Sequence, residues 1–167
     1  NLKEENSTDI QLIKLILSAR TFLQKKQYSV GYKILDKAEV IAKEHQLFTI
    51  LNEIYHSKIQ YAYTRQSINI NKLIKDFKEN QQQHLLEEEL NIAYAKIRNT
   101  LNEVHHQNKV IDVKAMIEKV LEEHEITISS SFSFKSLYQL IQITAISSSQ
   151  NLEYWNIESF LIETYQV

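Results

Sequence analysis

Apolar residues in this chain recur every three to four positions through one segment after another, and almost nowhere alternate with polar ones, so the pattern predicts helices throughout. The first predicted helix runs to about Lys26, with Ser7 or Thr8 placed to cap it and Asp9 in its first turn, where the helix dipole favours negative charge. Leu12, Ile13, Leu15, Ile16, Leu17, Ala19, Phe22 and Leu23 cover more than half its circumference, leaving Gln11, Lys14, Ser18, Thr21 and Lys25 as a polar stripe. A helix that apolar is expected to be sandwiched between two neighbours.

The second helix, over 29–45, carries a single stripe of Val30, Gly31, Ile34, Leu35, Ala38, Ile41 and Ala42, with Glu39 and Lys43 four apart on the outer face. A third, over 47–65, turns Leu47, Phe48, Leu51, Ile54, Tyr55 and Ala62 inward and Asn52, Glu53, His56 and Gln60 outward. From 68 to 108 nothing stops a helix, but the stripe of Ile70, Leu73, Ile74 and Phe77 is followed by seven polar residues before Leu86, Leu90, Ala93, Ile97, Leu101 and Val104 resume at near-heptad spacing. Either one long helix with an exposed waist or two helices meeting near 81–84 satisfies that pattern.

A shorter amphipathic helix follows over 112–123, with Val113, Met116, Ile117, Val120 and Leu121 on one side. The serine-rich, β-branched stretch 126–133 reads as a loop or extended linker. The last pair is predicted as a helix from Phe134 to about 148, a joint over 147–151, and a helix from Leu152 carrying Trp155, Ile157, Leu161 and Tyr165. Two helices so closely joined form a hairpin. The organisation expected is one domain: N-terminal helices over 1–66, a long helical spacer over 67–125 and a C-terminal pair over 126–167.

Composition sharpens this picture. The 167 residues contain no Pro and one Gly, the residues that build hairpin turns and phosphate-cradling loops, so β-rich and Rossmann-type folds are excluded. The absence of Cys removes disulfides, thiolate metal sites and Cys nucleophiles together. A net charge of −2 gives no reason to expect nucleic acid, although Lys14, Arg20, Lys25, Lys26, Lys33 and Lys37 make the beginning basic and 79–125 leans acidic. The longest uncharged run, 136–152, is too polar for a bilayer span, so no membrane association and a cytoplasmic location are expected. The chain opens without Met and stops inside an apolar-periodic stretch, and it is read as an excerpt of a longer protein.

The segment 15–42 resembles a tetratricopeptide repeat. Ala19 and Phe22 stand where the first helix of such a repeat carries a small and then a large residue, Gln27 and Tyr28 resemble its turn, and Gly31, Leu35 and Ala38 match the small, large, small signature of its second helix. Small residues are needed where two helix axes cross closely. The pair over 134–165 looks like a second repeat but places bulky Trp155 near a small position, and the middle of the chain matches no consensus repeat. The resemblance, which covers about half the chain, is to degenerate bacterial repeat proteins. It implies a right-handed solenoid of antiparallel hairpins with a long central helix, acting as an interaction scaffold.

Candidate chemistry is sparse. Glu53/His56 and Glu103/His106 share the Glu-x-x-His spacing that di-iron bundles use twice. With 17 Glu and 6 His, about 0.6 such spacings arise by chance, and Glu53 and His56 fall on a polar stripe where bundle ligands would have to face the core. His105 and His106 are adjacent and cannot share a helix face. Glu87, Glu88 and Glu89 read as the wet side of the long helix, and Tyr55, Tyr61, Tyr63 and Tyr138 as core or rim packing. No Gly-rich loop or catalytic triad order occurs.

The expected function is therefore protein or peptide binding without catalysis, metal or cofactor. In a repeat of this type the concave surface is lined chiefly by first helices. Candidate groove residues are Arg20, which sits beside Ile13, Ile16, Leu17 and Leu23 and either snorkels or waits for a carboxylate, Gln24 one turn on, and Asn52, His56, Gln60 and Tyr63 on the third helix. The long helix is read as a spacer or a self-association surface. The alternative function is the sensory repeat domain of a peptide-responsive transcriptional regulator.

Overall fold

A computed structural model describes the backbone over 2–107, 111–126 and 133–151, and side chains over the same residues except 2–6, 134, 137, 144 and 146–151. Six helices and no strand occur among the described residues: α1 (Leu2–Gln24), α2 (Tyr28–Glu44), α3 (Phe48–Gln60), α4 (Ile70–His106), α5 (Val113–Glu123) and α6 (Phe134–Asn151), with a 3-10 turn at Ala62–Thr64. The chain divides inside α4 into two compact units, Asn1–His84 and Leu85–Val167.

In the first unit α1, α2 and α3 pack against one another. Their core is Leu12, Ile16, Ala19 and Leu23 of α1, Tyr32, Leu35, Ala38 and Ala42 of α2, and Ile50, Leu51, Ile54 and Tyr55 of α3. Gly31 marks the close crossing of α1 and α2: a Cβ there would lie 2.6 Å from Leu23 Cγ and 3.1 Å from the Ala19 carbonyl oxygen. The small residue is required by the approach of the two helices.

How the chain turns with so little glycine is answered at three helix ends. Lys26, Gln46 and Glu125 adopt φ of 62°, 51° and 53°. After each, the next residue's N–H reaches back five positions, Gln27 to Phe22, Leu47 to Ala42 and Ile126 to Leu121, each at 2.9 Å. These bonds, with those of the left-handed residues themselves to carbonyls three back, form Schellman caps that satisfy orphan carbonyls without Gly.

Several expectations are corrected. The first helix begins at Leu2, so Ser7, Thr8 and Asp9 lie in its interior and not at its start. α1 is not sandwiched: Ile13 and Leu17 are 49% and 57% exposed, because α2 and α3 together cover only one side of it. α3 ends at Gln60, and its continuation to 65 is broken by the 3-10 turn. Glu39 does not face outward; it is half-buried between Lys43 and Lys58.

The stretch 70–106 is one helix, and its polar waist is not wholly exposed, since Asn80 is buried and its Nδ2 donates to the Phe48 carbonyl at 2.9 Å. In the second unit the near-heptad row does not form a free seam. Leu90, Ala93 and Ile97 are fully buried in a core with Val113, Ile117 and Val120 of α5, Ile126, and Ile143 of α6. Glu87 is buried and Glu89 Oε2 lies 2.8 Å from His124 Nδ1, so only Glu88 of the triplet is on the wet side.

Asp112 caps α5 by accepting from Ala115 N at 3.1 Å, and Ser133 does the same for α6 from Ser136 N at 3.0 Å. The joint expected over 147–151 is helical backbone belonging to α6. The expected final helix with Trp155, Ile157, Leu161 and Tyr165 lies outside the described residues.

Candidate functional site

α1 leaves one face open. Ile10, Ile13, Leu17, Arg20 and Gln24 follow one another at steps of three, four, three and four, which keeps all five within one stripe of a helix. Ile10 is 53% exposed, and with Ile13 and Leu17 it makes an apolar ridge that Arg20 and Gln24 continue as a polar end.

Arg20 has found its carboxylate within the chain. Its Nη2 pairs with Glu53 Oε2 at 2.6 Å and its Nε donates to Ser57 Oγ at 2.9 Å, so the guanidinium fastens α1 to α3. Glu53 is thereby committed to a structural pair, and His56, one turn further on, stays exposed without a metal-binding neighbourhood. Glu103 likewise accepts from Asn99 Nδ2 at 3.0 Å, with His105 and His106 exposed beyond it. Among the described residues no group of three or more His, Asp or Glu side chains could hold a metal ion.

The remaining candidates scatter. Gln24 and Gln60 are exposed, and Asn52 is half-buried with its Oδ1 shielded from solvent and unpartnered. Tyr63, 79% exposed, stands on the 3-10 turn and off the α3 stripe. Nearby, the ring centroids of Tyr28 and Tyr61 lie 6.3 Å apart. Only Arg20 and Gln24 therefore belong to the open α1 face.

Sequence reasoning missed a charged cluster behind that face. Lys58 is 7% exposed, pairs with Asp36 Oδ1 at 2.6 Å and donates to Glu39 Oε2. Tyr32 OH donates to the Lys58 carbonyl, the Arg65 guanidinium stacks 5.0 Å above the Tyr32 ring, and Tyr55 OH donates to Glu39 Oε1 at 3.3 Å. Burial pushes both phenols, Tyr32 and Tyr55, up to about 12. Burial would also raise the Glu39 carboxyl, but hydrogen bonds from Lys43 and Lys58 outweigh it and hold the group below its ordinary range.

A signal for this cluster was present: Lys58 follows Leu51, Ile54 and Tyr55 in helical register, and a charge on a buried stripe demands partners. A cleft of about 220 Å³ opens beside it, also lined by Lys72 and Asp76. Its three carboxylates, Asp36, Glu39 and Asp76, are matched by Lys58, Arg65 and Lys72, so the cleft favours neither anion nor cation. It is a brace between helices.

No helix among the described residues is long and apolar enough to cross a membrane. Compared with protein-family models, curated proteins and solved structures, the chain matches none.

Proposed function

We propose that this chain is a non-catalytic protein- or peptide-binding module of the helical-repeat type, resembling tetratricopeptide repeats over 15–42 and acting in the cytoplasm. The observation that carries the reading is the row of Ile10, Ile13 and Leu17 held open to solvent along one face of α1, next to an ion pair that fixes that face relative to α3. A partner helix or extended peptide with its own apolar positions at matching intervals fits such a ridge. The three side chains are already about half-buried, so covering them contributes roughly 2–5 kcal/mol before the costs of association. That makes the ridge an anchor, and the polar end at Gln24 and the exposed His56 supply the selective rim.

The test is a double substitution, Ile13→Asp with Leu17→Asp, on exposed positions whose change leaves helix content and melting temperature intact. Proteins captured from a lysate of the source cells by the wild-type chain, and lost by the variant, support the reading. An unchanged set of captured proteins with the variant removes the ridge as the docking site and the reading with it.

A further inference from the structure

The near-heptad row of α4 is buried inside the second unit, yet α4 carries other apolar side chains that stay more than a third exposed. In the first unit Ile70 and Ile74 are 41% and 38% exposed, and Lys78 continues their row at the next turn. In the second unit Leu85 and Ile92 are 61% and 45% exposed, with Glu88 between them at the three- and four-residue steps that keep all three on one face. Neither Lys78 nor Glu88 is in an ion pair with another described residue.

The two patches complement each other. One presents an apolar row ending in a cation, the other an apolar row interrupted by an anion. The units that carry them are also oppositely charged: 13 Lys and Arg stand against nine Asp and Glu over 1–84, and six against 12 over 85–167. Attraction between the patches of one molecule and another is favoured on both scales, and like patches repel.

We propose that the chain associates with a second copy of itself by laying the Ile70, Ile74 and Lys78 row of one molecule antiparallel on the Leu85, Glu88 and Ile92 row of the other. The register that places Ile74 against Ile92 places Lys78 against Glu88, because in both rows the apolar residue and the charge are four apart. The seam is small, so the contact is transient and sensitive to salt. It is independent of the docking proposed on α1.

Sedimentation equilibrium of the full chain tests this. At low ionic strength the weight-average mass is expected to rise with concentration from 19.7 kDa towards twice that value, and to return to the single-chain mass in high salt. Lys78→Glu and Glu88→Lys should each abolish the rise while circular dichroism shows the helix content unchanged. An equimolar mixture of the two variants should restore it, since in the mixed pair every contact again joins opposite charges. A single-chain mass at all concentrations in low salt overturns the proposal. So does a dimer that survives either substitution, or a mixture that stays monomeric.

Discussion

Gly31 and Leu23 occupy the same space to within one methyl group: a Cβ on Gly31 would stand 2.6 Å from Leu23 Cγ and 2.8 Å from its Cδ2, and Leu23, 1% exposed, has nowhere to retreat. Gly31→Ala gains about 1 kcal/mol of helix propensity and meets an overpacking cost of roughly 1–3 kcal/mol. Net destabilisation of roughly 1 kcal/mol is expected in urea unfolding. In a Leu23→Ala background the obstructing atoms are gone and the cost should shrink, giving a coupling on the order of 1 kcal/mol. Additive behaviour would show that the two residues do not compete.

Lys58 stands between two carboxylates with 9% of its side chain exposed, so Lys58→Ala strands charge in a place with little water. Loss of one partner from a buried pair costs roughly 3–5 kcal/mol, an upper bound here because Glu39 keeps Lys43 and Asp36 keeps exposure. Lys58→Met, which fills the same volume, should cost less in Glu39→Gln chains than in wild type, as read by chemical denaturation of the double-mutant cycle.

Acid should weaken the first unit through Glu39. Its carboxyl is depressed in the folded state relative to the ordinary value of 4.5, so the unfolded chain takes up the proton first. The stabilisation is complete above that value and is lost as pH falls through the lower folded one. Denaturation midpoints followed from neutral pH downward should therefore decline more steeply in wild type than in Glu39→Gln. Equal slopes would mean that the carboxyl is not held by its lysines.

The three left-handed residues that end α1, α2 and α5 are Lys, Gln and Glu, where a side chain in that conformation costs roughly 1–2 kcal/mol. Lys26→Gly and Gln46→Gly relieve that strain and lose part of the gain to the freer unfolded chain, for a net stabilisation of about 0.5–1 kcal/mol each. Gln46→Val, β-branched, should destabilise instead. Thermal melting of the three variants distinguishes these signs.

Much of the helix plan was legible because it rests on local spacing. The limits of α2 and α5 fall within about a residue of those predicted, and only the structure sets Asp112 outside α5 as its cap. The start of α1 was misplaced because Ser7 and Thr8 are good caps that the helix does not use. Among the candidate site residues, the spacing left Arg20 either snorkelling or waiting for a carboxylate, and it could not point to Glu53, which lies 33 residues away with no periodicity to join them.

The order of residues by itself determined that this protein is built of helices and where most of them run, because helix period and backbone sterics act over a few residues. Tertiary structure alone decided which apolar stripes are covered. It left Ile10, Ile13 and Leu17 open, buried the row of Leu90, Ala93 and Ile97, and drew Lys58 between Asp36 and Glu39. Burial depends on which distant helix arrives at a face, and that is settled by the packing of the whole.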